Sequence, residues 1–180
     1  MKRLTLLRHA KSDWDDPVSR DFDRPLNRRG EKAAMLMGQF AKSRKMQFDM
    51  LVASPAVRVV ETLETFFQGF GQVLDAHWDR RIYLASSATL FDVVRDLPDS
   101  VNSVLLAGHN PGLEELILDF VPDDGASQSR EDVEAKFPTA SIAVLDLPIN
   151  SWRAAKENIA MLASFTRPRD LDPALGPETR

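Results

Sequence analysis

The sequence predicts an α/β fold in three layers, with a mostly parallel central sheet between two layers of helices. Two patterns along the 180 residues predict it. Short, nearly continuous apolar runs recur along the chain, as is typical of strands that are buried on both faces. Between them lie longer segments whose apolar residues are three and four positions apart, the spacing of amphipathic helices. Strands that alternate with helices in this way form parallel sheets with helices on both faces.

Three apolar runs are predicted to be parallel strands: LTLL at 4–7, MLVAS at 50–54 and SVLLAG at 103–108. The later segment ASIAVLDL at 140–147 is rich in aliphatic residues and alternates in character. We expect it to join the sheet as an antiparallel strand. A second strand of this kind is predicted in AMLASF at 160–165.

Four segments with helical spacing are predicted to be helices. They begin near Gly30, Pro55, Ser87 and Gly112. Asn27 precedes a charged first turn, and proline is common at the first helical position, so both residues indicate helix starts. These helices therefore fill the connections between the predicted strands.

Two later segments break this rhythm. The polar residues and prolines of 121–138 predict a loop or a small excursion. We expect a single domain over residues 1–167. The remaining 168–180, PRDLDPALGPETR, has little to bury and is predicted to be an extended, partly mobile tail.

Composition excludes several classes of protein. A net charge of -4 argues against broad electrostatic attraction to nucleic acid or to anionic membranes, so we expect neither as a partner. No apolar run has the length of a membrane span. The chain has no cysteine, which removes thiolate nucleophiles and cysteine zinc sites and fits a reducing compartment. We therefore expect a cytoplasmic protein.

Arginine and histidine side chains follow three of the predicted parallel strands. Arg8 and His9 come at the end of the first strand, Arg58 follows the second, and His109 follows the third. In open α/β sheets the carboxyl ends of the strands face the ligand. Burying this much positive charge together is costly unless an anion compensates it. The pattern therefore predicts a phosphate site.

The residue types suit phosphate chemistry. The planar fork of arginine makes two charge-assisted hydrogen bonds to phosphate oxygens. A neutral histidine can attack phosphorus and form a phosphohistidine intermediate. The remaining cationic and polar groups would then stabilise charge on the equatorial oxygens.

Four motifs in this order resemble the histidine phosphatase (phosphoglycerate mutase-like) superfamily: LLRHAKSDW, DFDRPLNRRG, LVASPAVRVVET and LLAGHNPGLEEL. The short chain and the wording of the motifs are most similar to the compact SixA-type phosphohistidine phosphatases. The resemblance implies a phosphoglycerate mutase-like fold and hydrolysis of phosphate monoesters or phosphoramidates without a metal or cofactor. It also implies that His9 is the nucleophile, that Arg8 and Arg58 clamp the phosphate, and that His109 binds the transferring phosphoryl group.

Other residues in and near the first motif are also candidates for a role in the site. We expect Ser12 and Lys11 to contact the substrate, Ser12 as a donor to phosphate and Lys11 by steering the anion. Ala10 stands where the superfamily usually has glycine, which leaves the roles of its neighbours intact. The general acid has no clear counterpart in the sequence, and three carboxylates are candidates for it: Asp13, Asp15 and Asp21. The third histidine, His77, aligns with no motif and is expected to be structural or exposed.

The motifs favour a metal-independent phosphatase that works through phospho-His9. Its expected substrate is a phosphohistidine protein or a small phosphorylated molecule. Two alternatives stay open: a phosphotransferase or mutase of the same superfamily, and a non-catalytic module that recognises phosphate. The lack of a clear general acid favours phosphohistidine, since a protonated phosphoimidazole leaves as a neutral ring.

Overall fold

A computed structural model describes residues 1–177 of the chain. Its six strands are β1 (Lys2–Arg8), β2 (Met50–Ala53), β3 (Ala76–Trp78), β4 (Ser103–Gly108), β5 (Ile142–Leu147) and β6 (Met161–Thr166). They form one sheet in the order β3-β2-β4-β1-β5-β6. The first four strands along the chain run parallel to one another, β5 pairs antiparallel with β1, and β6 pairs antiparallel with β5. The predicted mixed sheet is therefore confirmed.

Helices connect the strands and cover the sheet. The four predicted helices are present, and two further short ones lie near the end of the chain. The helices are α1 (Arg28–Ser43), α2 (Val57–Phe70), α3 (Ser87–Arg95), α4 (Gly112–Phe120), α5 (Gln128–Ala135) and α6 (Pro168–Leu171). Helix α5 lies inside the segment 121–138, so the alternative of a plain loop there is wrong. Ser127 begins this helix, since its side chain accepts a hydrogen bond from the amide of Arg130.

The sheet buries both of its faces, which explains why its strands are continuous apolar runs. In β4, Leu105 belongs to the core formed with α1 and α2, whereas its neighbour Leu106 belongs to the opposite core formed with α3 and α4. Leu6 and Leu7 divide in the same way in β1. Successive side chains of a strand point to opposite faces, so only a strand with helices on both sides needs apolar residues at every position.

The start of α1 fixes the loop that follows β1. The side chain of Asn27 accepts a hydrogen bond from the amide of Gly30, as an N-cap does. The amide of Asn27 donates to the carbonyl oxygen of Lys11. A Cβ atom on Gly30 would lie 2.1 Å from that same oxygen, so a larger residue would push the loop away from the helix. Glycine therefore allows the loop after the first strand to rest on α1.

Strand β3 at one edge of the sheet was not predicted. It has three residues, AHW, which are half-buried or exposed, and it pairs only with β2. His77 lies on this strand and is exposed, as expected for a residue outside the motifs. A strand of three residues is too short to carry a periodic signal.

The end of the described chain is folded, so the prediction of an extended tail from 168 is wrong as far as 177. Helix α6 is followed by a 3-10 turn at Pro173–Leu175. The guanidinium of Arg29 in α1 donates to the carbonyl oxygens of Ala174 and Gly176, which holds this segment against the domain. The rest of the predicted tail, 178–180, lies outside the described residues. Within the described chain, no helix combines the length and apolar character that a membrane crossing requires.

Candidate active site

The carboxyl ends of three parallel strands bring the predicted residues together. β1 ends at Arg8 and is followed by His9, while β4 is followed by His109. Arg58 lies in the first turn of α2, the helix that follows β2. All four side chains line one cavity of about 620 Å³. The fold therefore brings together the four residues that were predicted, from their places after parallel strands, to form one site.

His9 is held as a neutral ring with one free nitrogen. Its Nδ1 lies 2.7 Å from the carbonyl oxygen of Ala10. Since a carbonyl oxygen only accepts, Nδ1 carries the proton and Nε2 carries the lone pair. Burial lowers the pKa of His9 to about 3, with help from the charge of Arg8 and against the hydrogen bond to Ala10. The ring is therefore neutral at pH 7, as a nucleophile must be.

Ala10 occupies its position without strain. It is fully buried, and its φ is not positive, so the backbone there does not need glycine. Its amide donates to Oγ1 of Thr62, whose hydroxyl in turn donates to the carbonyl oxygen of Arg58. This threonine is the last residue of the SPAVRVVET motif, so two motifs are joined directly beside His9.

His109 faces His9 across the cavity. The two ring centroids are 5.3 Å apart. Nε2 of His109 lies 2.8 Å from Oγ of Ser54, and its buried Nδ1 has no hydrogen-bond partner within residues 1–177. Burial, followed by the charge of Arg58, lowers the pKa of His109 to about 3. The sequence had given no role to Ser54, although it begins the motif that contains Arg58.

Both predicted phosphate clamps keep a buried nitrogen unpaired. Arg8 donates from Nη1 to the carbonyl oxygen of Phe137, and burial lowers its pKa. Arg58 donates from Nη1 to the carbonyl oxygen of Asp21 and from Nη2 to the Asp21 carboxylate. In each guanidinium, buried Nε has no hydrogen-bond partner in the described chain. A tetrahedral anion offers acceptors that such donors lack.

Asp21 holds the arginines in place. Its Oδ1 accepts from Arg24 at 2.7 Å, and its Oδ2 accepts from Arg58 at 2.9 Å and from the hydroxyl of Tyr83 at 2.7 Å. Partial burial raises the pKa of Asp21, but the hydrogen bonds from Arg24 and Tyr83 and the charge of Arg58 outweigh it and hold the pKa well below the ordinary value. Asp21 is thus ionised at neutral pH and has no proton to give. The arrangement supports a positioning role for this carboxylate instead of the general acid that was considered.

Arg24 is a cavity residue to which the sequence analysis gave no role. It is buried, and its guanidinium carbon lies 3.5 Å from the centre of the exposed Trp14 ring. Its Nη2 binds Asp21, whereas its buried Nη1 has no hydrogen-bond partner among residues 1–177. The residue lies within the motif DFDRPLNRRG, which was the one available signal. Arg24 adds a third arginine to the predicted pair.

The other predicted residues divide between the cavity and its surroundings. Ser12 and Lys11 line the cavity, and Ser12 is buried, with its backbone paired to Leu26. Asp13 and Asp15 do not line it, and the Asp13 carboxylate accepts from the amide of Asp15 in a local turn. The geometry therefore gives no support to a general acid at either position.

Basic side chains surround the rest of the cavity. Asp21 is the single carboxylate among the described residues that line it. In the same part of the chain, 1–177, no three acidic or histidine side chains converge as a metal ion would require. The basic lining residues are Arg8, Lys11, Arg24, Arg29, Arg58, Lys136, Arg167 and Arg169.

Comparison with known proteins links this geometry to one family. A family model of the histidine phosphatase superfamily (branch 1) matches residues 4–82. An uncharacterized protein of Mycobacterium tuberculosis is 31% identical over 164 residues, which cover 91% of this chain and 100% of that protein. The match therefore extends far beyond the motifs around the first strand.

Solved structures share the fold. The SixA protein of Agrobacterium tumefaciens is 30% identical, with a TM-score of 0.76, and the alignment covers 92% of this chain and 97% of that one. A protein histidine phosphatase SixA, solved in complex with tungstate, is 21% identical with a TM-score of 0.73 and coverage of 94% and 99%. The fold is thus that of these SixA structures along nearly the whole chain.

Proposed function

Because this chain belongs to the histidine phosphatase superfamily, we propose that it is a metal-independent phosphatase that works through a phosphohistidine intermediate on His9. Membership itself supports phosphatase activity. One observation carries the proposed mechanism: the proton of His9 is held on Nδ1 by the carbonyl oxygen of Ala10, while Nε2 stays free in a cavity lined by arginines. A neutral nitrogen among fixed positive charges is suited to attack an anionic phosphoryl group.

In the first step, the lone pair of Nε2 on His9 attacks phosphorus. The bond from phosphorus to the leaving group breaks, and the leaving group departs with the electron pair. Arg8 and Arg58 neutralise the equatorial oxygens, and their unpaired Nε groups become hydrogen-bonded. His109 faces the same phosphoryl group from the other side of the cavity. Arginines supply the positive charge that a metal ion supplies in other phosphatases.

In the second step, water attacks the phosphorus of phospho-His9. The phosphorus–nitrogen bond breaks, its electron pair returns to Nε2, and phosphate leaves with the oxygen of the water. The proton released by the water passes to the phosphate or to solvent. The ring returns to its starting state, with its proton still on Nδ1.

We propose a phosphohistidine protein or a small phosphorylated molecule as the substrate. Asp21 is ionised, so the described residues that line the cavity include no carboxylic acid that could protonate an alkoxide. Leaving groups that depart without such help, a protonated imidazole above all, are therefore favoured. The SixA structure with tungstate carries the name protein histidine phosphatase, which supports the same substrate class. The cytoplasm stays the predicted compartment.

The decisive experiment compares the unaltered chain with His9→Ala on three substrates: a phosphohistidine protein, p-nitrophenyl phosphate and small sugar phosphates. We expect phosphate release that needs His9, and an acid-labile phosphoryl group on His9 after rapid quenching. Phosphate that moves to an added acceptor instead of to water would indicate a mutase. Binding without any release would indicate a recognition module. Equal rates on sugar phosphates and on phosphohistidine would contradict the argument from the leaving group.

A further inference from the structure

Besides the proposed phosphate ligands, three basic residues line the cavity, and we call them the basic wall. They come from three separate elements: Arg29 comes from α1, Lys136 follows α5, and Arg169 lies in α6. Arg29 lies in the motif DFDRPLNRRG, but none of the three was predicted to bind the phosphate. The proposed mechanism uses none of them.

Among the described residues, no carboxylate forms an ion pair with the basic wall. Arg29 donates to two backbone carbonyl oxygens, which leave its charge in place. Lys136 is exposed, and within residues 1–177 no carboxylate lies within ion-pair distance of it. Arg169 has a buried Nε without a hydrogen-bond partner in the same part of the chain. Arg167 differs, because Asp170 binds it at 2.8 Å.

The size of the cavity indicates what these charges would meet. A volume of about 620 Å³ lies within the range of sites that enclose small molecules. A phosphoryl group beside His9 and His109 would fill only part of this volume. The remainder of a substrate would then share the cavity with the basic wall. Positive charges that line a cavity favour the binding of an anion there. They disfavour a neutral group, which would leave the charges unpaired.

We propose that Arg29, Lys136 and Arg169 form a second anion subsite, and that the preferred small-molecule substrate is a phosphate compound with a second anionic group. That group is a carboxylate or another phosphate, since both accept hydrogen bonds from arginine and lysine. The inference rests on the proposed function, because it takes His9 as the place of the scissile phosphate. It narrows the proposed small phosphorylated molecules to those that carry a second anion.

Binding of non-hydrolysable phosphonates tests the subsite without turnover. Calorimetry on the His9→Ala chain would compare alkylphosphonates with ω-phosphonocarboxylates and α,ω-diphosphonates of matched carbon number, over several chain lengths. We expect the second anionic group to strengthen binding about tenfold at the best length, equivalent to about 1.4 kcal/mol. The carboxylate and diphosphonate arms identify which anion the subsite prefers.

Lys136→Gln and Arg169→Gln should each remove most of that gain. Lys136 is exposed, and its side chain has no hydrogen bond or ion pair within residues 1–177, so Lys136→Gln still tests the subsite if Arg169→Gln fails to fold. Lys156→Gln is the matched control, because it removes an exposed lysine that does not line the cavity. A gain that persists in Lys136→Gln, or no gain at any chain length, would overturn the subsite.

Hydrolysis separates this inference from the proposed function. Phenyl phosphate and 4-carboxyphenyl phosphate present the same phosphoryl group with and without a second anion. We expect Lys136→Gln to lower kcat/KM about tenfold more for the carboxylated ester. If His9-dependent hydrolysis occurs with equal losses on both esters, the subsite alone is wrong. If hydrolysis does not need His9 while the phosphonates still discriminate, the proposed mechanism alone is wrong.

Discussion

The two ends of the cavity are built in different ways. At the His9 end, the functional side chains stand at the ends of buried strands, and His9 and His109 are 8% and 3% exposed. At the end formed by the basic wall, Arg169 stands on a helix of four residues, and an exposed hydrogen bond from Arg29 holds the turn after that helix to α1. Stability varies across a fold, and segments with few buried contacts open first. The difference suggests a rigid end for chemistry and an adaptable end for recognition.

Replacement of His9 gives the largest expected effect at the rigid end. We expect His9→Ala to lower kcat/KM by about 10³-fold or more, because the nucleophile is lost. Steady-state phosphate release measures it. His77→Ala is the matched control, since this histidine is exposed on β3 and should leave the rate within about twofold. Substantial turnover by His9→Ala would break the distinction between the two ends.

Stability should depend on pH through the buried histidines. Their pKa values are lowered from 6.5 to about 3, so between these pH values the two rings are protonated in the unfolded chain and neutral in the folded chain. Stability is therefore full above pH 6.5 and falls as the pH drops toward 3, by up to about 1.4 kcal/mol per pH unit for each ring. Urea unfolding at pH 7, 6 and 5 measures the slope. The double variant His9→Gln/His109→Gln should flatten it, and an unchanged slope would show that other groups cause it.

Removal of the Asp21 charge should lower kcat/KM without changing the shape of its pH dependence. Asp21→Asn leaves Arg24 and Arg58 less firmly placed, and we expect kcat/KM to fall about tenfold. The pH–rate profile should keep its shape, because an ionised Asp21 donates no proton. Tyr83→Phe removes one hydrogen bond to the same carboxylate and should show a smaller loss. Disappearance of the basic limb in Asp21→Asn would identify this residue as a general acid.

The smallest effect is expected at the adaptable end. Arg29→Gln removes the contacts to Ala174 and Gly176, and we expect a loss of at most about 1 kcal/mol, or about 2–4 °C in Tm. Hydrogen exchange in 168–177 should rise while β1 stays protected. Arg28→Gln is the control, since this neighbour is exposed and does not line the cavity. Equal deprotection of β1 would show that the two ends unfold together.

The same contrast explains what could be predicted from sequence. The buried strands and long helices were predicted because burial on both faces demands runs such as SVLLAG at 103–108. The convergence of Arg8, His9, Arg58 and His109 followed from their places after parallel strands. Both inferences depend on rules of burial and topology that leave a local pattern in the chain.

What was missed depends on contacts between distant residues. Tyr83 donates a hydrogen bond to Asp21, which lies 62 residues away in the sequence, and no local sequence pattern predicts such a contact. Arg24 lies in a quoted motif, but its place beside the cavity depends on the 3-10 turn at Asp21–Asp23. Helix α6 was predicted as a tail because its segment is short and rich in proline. Its fold depends on Arg29, which lies far away in the sequence.

The partner of the His9 Nδ1 atom has a consequence for how the protein can change. In many enzymes a carboxylate orients the reactive histidine, so a single substitution or acid titration can remove the orienting group. Here the orienting group is the main-chain oxygen of Ala10. Every amino acid supplies that oxygen, and it does not titrate. Neither a substitution at position 10 nor a change of pH can therefore remove the orienting oxygen, and a mutation alters the orientation of His9 only if it displaces the backbone, as a side chain too large for the buried position 10 would.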